Sequence, residues 1–276
     1  MSAGIIGLVI GGGKLPEKVI EALRIKGIGF KAVVLDGFAE CVPLLNAEDY
    51  IKIKLGQVGS GIAFFRKFGI TEILMIGSVK RPSLTSLLPD LWTAKFLLKI
   101  SLKSLGDDGM LKAITAALKD EGFSIIGVQD VVDDIFAKEG TYGKTVPDDR
   151  AMADIRYGVS LLKSLSSLDI GQGIVIQQGL VIAVEAIEGT DNMLTRVKDF
   201  KREGAAPVLV KMKKIGQHDK LDLPTVGSST VITAHKNGVR GIAVQAGGVL
   251  IADYENMVKT ADELGVFIYG YNLSQY

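Results

Sequence analysis

The acidic residues of this chain open the question of chemistry. Glu185-Ala186-Ile187-Glu188-Gly189-Thr190-Asp191 sets three carboxylates within seven residues, where an apolar strand ends and a helix begins. A carboxylate ending so apolar a strand is costly to bury unpaired, so Glu185 needs a cation, a metal or a cleft to face. We expect the cleft, with a structural ion pair as the alternative. Asp219 and Asp222 flank Lys220 just before Leu223-Pro224-Thr225-Val226-Gly227, and that Pro and Gly exclude a continuous helix. Oxygen ligands on such a loop suit Mg²⁺, which neutralises pyrophosphate charge and helps polarise an attacking water. Standing alone, the pair would read as a solvated acidic loop. Asp107-Asp108, between Gly106 and Gly109, offers either Mg²⁺ ligands, acceptors for sugar hydroxyls, or an ordinary helix N-cap.

Groups that could meet phosphate lie nearer the N-terminus. Gly11-Gly12-Gly13-Lys14 follows the first strand and precedes a helix, where backbone N–H groups can hold an anion. A plain strand-to-helix turn reads equally well, because the spacing is neither a Walker loop nor G-x-G-x-x-G. Asp36, at the end of the second strand, stands about where a ribose-binding acid would lie. Lys80-Arg81-Pro82 follows a later strand, so its two cations fall on the ligand-bearing edge, with solvated surface charge the competing account. His218 and His235 are the only histidines, too few and too far from paired Cys or a second local ligand to make a zinc site, and no G-x-S-x-G elbow supplies an acyl-transfer nucleophile.

The elements that must position these residues alternate strand and helix. Apolar runs at Ile5–Ile10, Phe30–Leu35, Tyr50–Leu55, Glu72–Ile76 and Phe123–Val128 predict strands, with helices from Pro16, over Ile62–Phe68, within Ser83–Ser104 and through Leu118. That pattern predicts an α/β fold: a doubly wound parallel sheet whose ligands bind beyond the carboxyl ends of its strands. The apolar surface of Leu87, Leu88, Leu91, Trp92, Phe96, Leu97 and Ile100 reads as core. Asp133–Pro147 is polar and without period, and reads as the linker between a domain of residues 1–140 and one of residues 141–276. In the second domain Asp148 is expected to cap a helix through Leu165, followed by a hairpin turning at Gln178-Gly179. Helices at Thr190–Arg202, Ser228–Lys236 and Asp253–Leu264 then alternate with strands at Pro207–Met212, Gly241–Gln245 and Val266–Tyr271, a second, mixed α/β domain.

Composition narrows the classes. Against 31 acidic residues stand 32 Lys and Arg, so no field attracts nucleic acid, which we do not expect as a partner. The lone Cys41 rules out an internal disulfide and fits a reduced compartment. Neither the start of the chain nor Gly173–Ile187, which carries Gln177, Gln178 and Glu185, suits a signal peptide or a membrane-spanning helix. A soluble, cytoplasmic protein is expected, and self-association is left open.

Taken in order, Gly11-Gly12-Gly13-Lys14-Leu15-Pro16, Lys80-Arg81-Pro82, Gly106-Asp107-Asp108, Val184–Arg196 (VEAIEGTDNMLTR) and Asp222-Leu223-Pro224-Thr225-Val226-Gly227 resemble one family closely. It is the UDP-2,3-diacylglucosamine pyrophosphatase family of lipid A biosynthesis, the type unrelated to calcineurin-like phosphoesterases. The likeness runs along nearly the whole chain, and the VEAIEGTDNML block is its most distinctive part. It implies a Rossmann-like N-terminal domain and a C-terminal domain holding a lipid-linked sugar nucleotide between them. It also implies Mg²⁺ and water splitting the pyrophosphate, at the sugar-side phosphorus, into UMP and 2,3-diacylglucosamine 1-phosphate. The aspartate of the family's D-x-P segment carries over to Asp222, the expected catalytic residue, with Asp219 beside it and Asp222 and Glu185 as expected metal ligands. The expected substrate contacts are Gly11, Gly12, Gly13, Lys80, Arg81, Asp107, Asp108, Glu188, Gly189, Thr190 and Asp191. This chain has Gln217-His218 and Lys220 where the family often has Gln-Asp and Arg, Gln245 where it often has Glu, and Gly227-Ser228 where it usually has Gly-Pro. A diacylated substrate implies peripheral contact with the inner face of the cytoplasmic membrane. Two other classes stay open: a non-catalytic nucleotide-sugar binding protein, and an NAD-linked oxidoreductase with Asp36 on a ribose.

Overall fold

The computed structural model describes residues 4–39, 41–79, 88–99, 107–215 and 223–276. The described chain divides between Asp133 and Asp134 into two compact units.

In the first unit the apolar runs become β1 (Ile6–Ile10), β2 (Phe30–Leu35), β3 (Tyr50–Ile53), β4 (Glu72–Ile76) and β5 (Ser124–Ile126). They form one wholly parallel sheet in the order β3-β2-β1-β4-β5. Leu8 and Ile10 of β1 and Ile73 and Leu74 of β4 are all buried, as strands covered on both faces must be. The chain leaves β1 to one side and returns to the other at β4, so the carboxyl ends of these two strands flank the switch point of the sheet. Helix α1 (Leu15–Ile25) opens on Pro16 and buries Leu15, Val19, Ile20 and Leu23, an apolar stripe at helical spacing.

Helix α2 (Val58–Lys67) starts earlier than the expected Ile62. The Val58 N–H donates to Thr93 Oγ1 at 3.1 Å and the Ser60 N–H to Asp90 Oδ2 at 3.1 Å, so residues distant in sequence satisfy its first turn. Within the expected Ser83–Ser104 helix the described part is α3 (Leu91–Lys99). Its Trp92 stacks on Phe96 at 5.4 Å between ring centroids and packs on the core beneath the sheet. Leu88, Leu91 and Leu98 are exposed, which corrects the expectation that this apolar surface is core throughout. Helix α4 (Asp107–Asp120) completes the unit.

The second unit opens with β6 (Gly140–Tyr142), inside the polar segment expected to be irregular, followed by α5 (Asp149–Ser166). Asp148 caps α5 as expected, its Oδ1 accepting from the Ala151 N–H at 2.8 Å. Next come the hairpin β7 (Gly173–Gln177) and β8 (Leu180–Val184), α6 (Gly189–Phe200), β9 (Val208–Lys211), β10 (Thr225–Val226), α7 (Ser228–Lys236), β11 (Gly241–Gln245), β12 (Leu250–Ile251), α8 (Tyr254–Leu264) and β13 (Phe267–Tyr271). The main sheet runs β6-β13-β11-β9-β7-β8, with β9, β11 and β13 parallel and the outer strands antiparallel, while β10 and β12 pair separately. Ile155, Val159 and Leu162 of α5 cover one face, and Met193, Leu194 and Val197 of α6 with Val231 of α7 and Met257 of α8 cover the other. The fold is α/β, a doubly wound parallel sheet followed by a mixed-sheet unit. No helix among the described residues is long and apolar enough to cross a membrane.

Candidate active site

At the switch point of the first unit the glycine turn is locked to the loop after β4. The Gly11 N–H donates to the Ile76 carbonyl at 2.8 Å, the Gly12 N–H to the Ser78 carbonyl at 2.8 Å, and the Ser78 N–H back to the Gly12 carbonyl at 2.9 Å. A Cβ on Gly11 would lie 2.6 Å from the Ser78 carbonyl oxygen, and one on Gly77 2.6 Å from that of Gly12. Glycine is required here because two backbones cross with no room for a side chain. Because the Gly11 and Gly12 N–H groups bond within the protein, a phosphate at this turn would be met by the first turn of α1. There Pro16 lacks an N–H, and Lys14 Nζ is paired with Glu17 at 2.8 Å. Asp36 is exposed at the end of β2. Lys80 and Arg81 lie outside the described residues. Asp107 and Asp108 are the first two residues of α4, with side chains outside what is described.

The second unit gathers its polar groups at the edge where the parallel strands end. Register lays three strands side by side there: Val184, the last residue of β8, pairs with Ile174, and Gly173 of β7 pairs with Lys211 of β9. Glu185 follows β8, and its N–H donates to the Gly173 carbonyl at 2.9 Å. Its Oε1 accepts from Thr190 Oγ1 at 3.0 Å, and the same Thr190 oxygen accepts from Lys211 Nζ at 2.7 Å. A hydroxyl that accepts from an ammonium must turn its own hydrogen elsewhere, and Glu185 receives it. The other carboxylate oxygen, Glu185 Oε2, is buried with no hydrogen-bond partner. It packs on Gly173, where a Cβ would lie 2.5 Å away, so glycine makes the space that the carboxylate occupies. Lys211 is 4% exposed, and its carbonyl accepts from the buried Tyr271 hydroxyl at 3.0 Å. Burial pushes the Tyr271 phenol well above the ordinary range, which keeps it a donor.

The remaining expected residues spread around this cluster. Glu188 pairs with Arg196 at 2.5 Å, and the same guanidinium nitrogen donates to the Val184 carbonyl. Gly189 opens α6 at φ +77°, and Asp191 is exposed in its first turn, where the helix dipole favours a negative charge. Gln245, at the end of β11, accepts from the Lys213 N–H at 3.0 Å, and burial pulls the Lys213 ammonium pKa down. Asp219 and Asp222 lie outside the described residues. Sequence reasoning passed over Lys211, although it ends an apolar strand just as Glu185 does, and it passed over Gly173, whose part depends on a strand pairing.

Among the described residues no three His, Cys, Asp or Glu side chains gather as a metal group. What these residues offer a hard divalent cation is the buried, unpartnered Glu185 Oε2 above Gly173, an oxygen of the class that Mg²⁺ takes.

Two family models match in succession, one described as the LpxI N-terminal domain over residues 5–135 and one as the LpxI C-terminal domain over residues 138–269. The chain is also 35% identical over 272 residues to a protein of Caulobacter vibrioides named UDP-2,3-diacylglucosamine pyrophosphatase LpxI, spanning 96% of each.

Proposed function

The chain belongs to the LpxI family, and on that premise we propose that it is a UDP-2,3-diacylglucosamine pyrophosphatase of lipid A biosynthesis. Water adds to the sugar-side phosphorus, the bond to the bridging oxygen breaks, and UMP leaves with that oxygen, giving 2,3-diacylglucosamine 1-phosphate. The observation that carries the reading is the likeness, over nearly the full length of both chains, to a relative of that name.

In this proposal Asp222 and Glu185 would hold Mg²⁺, with Asp219, three residues before Asp222 in the sequence, as a further acid. The bound ion supplies charge neutralisation on the pyrophosphate and a more acidic water. Asp222 orients the attacking water and accepts a hydrogen bond from it, with Asp219 as a nearby acceptor. Lys80 and Arg81 pair with phosphate oxygens, the start of α1 beyond Gly11, Gly12 and Gly13 meets phosphate with N–H groups, and Asp107 and Asp108 accept from sugar hydroxyls. Glu188, Gly189, Thr190 and Asp191 complete the substrate contacts around the start of α6. The acyl chains bring the protein to the inner face of the cytoplasmic membrane as a peripheral visitor.

The test is UMP release from UDP-2,3-diacylglucosamine by the purified protein, repeated after chelation with EDTA and again after Mg²⁺ is restored. We expect release, loss and recovery. Release indifferent to EDTA removes the metal from the proposal, and no release at all removes the reaction.

A further inference from the structure

We infer that Lys211 is a positioning residue for Glu185, acting through the Thr190 hydroxyl so that Glu185 presents Oε2 to a divalent cation. The inference rests on the proposed metal site and adds to it two groups that fix the ligand rather than touch the ion.

The three residues come from three elements, the end of β8, the first turn of α6 and the end of β9, and meet only in the fold. Lys211 is fixed before it acts. Its backbone is paired to Gly173 on one side and Val244 on the other, and its carbonyl is held by the Tyr271 hydroxyl. Its ammonium, 2.7 Å from Thr190 Oγ1, occupies a lone pair of that oxygen and leaves the hydroxyl hydrogen one acceptor, Glu185 Oε1 at 3.0 Å. With Oε1 satisfied and the Glu185 backbone tied to Gly173, rotation of the carboxylate would break a hydrogen bond in a buried setting. Oε2 is then the oxygen left over. A buried carboxylate oxygen with no partner is costly, and a pattern that satisfies its twin through a three-residue relay while leaving it bare is the arrangement of a metal ligand with its supporting shell. A purely structural ion pair would bring Lys211 against the carboxylate itself. Here the ammonium bonds the hydroxyl instead, and among the described residues no carboxylate lies within ion-pair distance of it.

The experiment measures Mn²⁺ binding to the free full-length protein by calorimetry, with a thermal melt on each variant. Thr190→Val keeps the shape and loses the hydroxyl, while Thr190→Ser keeps the hydroxyl and loses the methyl. The relay predicts that Thr190→Val weakens Mn²⁺ binding by about tenfold or more and that Thr190→Ser stays close to wild type. Lys211→Met is predicted to weaken binding in the same direction. Tighter binding by Lys211→Met would show a cation that only repels the metal, and equal binding by Thr190→Val and wild type would show an idle hydroxyl; either overturns the inference. If Lys211→Met fails to fold, the Thr190 pair still decides. The function fails separately: wild-type protein that releases no UMP sinks the proposed reaction, whatever the variants bind.

Discussion

Asp222 is the residue on which the proposed chemistry turns. Asp222→Asn preserves size and removes the charge, so UMP release is expected to fall on the order of 10²-fold or more, the usual loss of a group that handles a proton. A thermal melt on the variant separates lost chemistry from lost folding. Release within a few fold of wild type would place the chemistry on other residues. How much of the site could be read from sequence varies by residue type. Glu185 was legible because a carboxylate closing an apolar strand contradicts its surroundings. Lys211 contradicts them equally, but a lysine ending a strand ordinarily reaches solvent along its own stem, and only the fold shows that this one is 4% exposed. Ser228, where the resembled family usually has Pro, shows what a linear reading misses: its N–H and hydroxyl both donate to Asp253, the N–H at 2.8 Å. A proline would remove that N–H.

Elements set these positions, and two of their joints can be tested. Asp154 is a buried carboxylate on α5 that accepts from the Gln178 N–H at 2.8 Å and the Gly179 N–H at 2.7 Å, clamping the β7–β8 turn that carries Glu185 at its far end. Asp154→Ala leaves two turn N–H groups without their charged acceptor and is expected to cost about 3 kcal/mol in denaturant unfolding. A cost below about 1 kcal/mol would show that water replaces the clamp. In the first unit Glu121 accepts from Trp92 Nε1 of α3 at 2.6 Å and from Arg66 of α2 at 2.5 Å. The Trp92 hydrogen bond first, then the Arg66 guanidinium, hold its pKa below the ordinary 4.5. A lowered folded-state pKa gives stability that is present above the unfolded value and lost as pH falls through the folded one. Glu121→Gln should therefore lower the melting temperature at neutral pH, with the gap to wild type closing as pH drops below 4.5. A gap that stays constant would assign the effect to packing. The long elements were legible because their periods or turn residues sit in one segment, as in the hairpin at Gln178-Gly179 and the Asp148 cap. The short strands β6, β10 and β12 were not, since two or three residues show no alternation and exist as strands only through β13 or one another.

At the scale of the whole molecule, near-neutral charge and the absence of a spanning helix among the described residues frame how the protein would reach a diacylated substrate. With so little net charge, a peripheral visitor should sediment with vesicles when they carry the diacylated substrate and stay in solution without it, whereas binding to bare anionic vesicles that is lost at high salt would point to a local basic surface instead. The doubly wound topology was legible because strand and helix alternate along the first half of the chain, and the mixed second sheet was legible only as alternation, since strand order is a property of pairing. The measurement that bears most directly on the account is hydrolysis of UDP-2,3-diacylglucosamine in ¹⁸O-labelled water, with both products weighed by mass spectrometry. Attack by water on the sugar-side phosphorus predicts unlabelled UMP and 2,3-diacylglucosamine 1-phosphate carrying the heavy oxygen on its phosphate. Intact substrate, or UDP released in place of UMP, would contradict it.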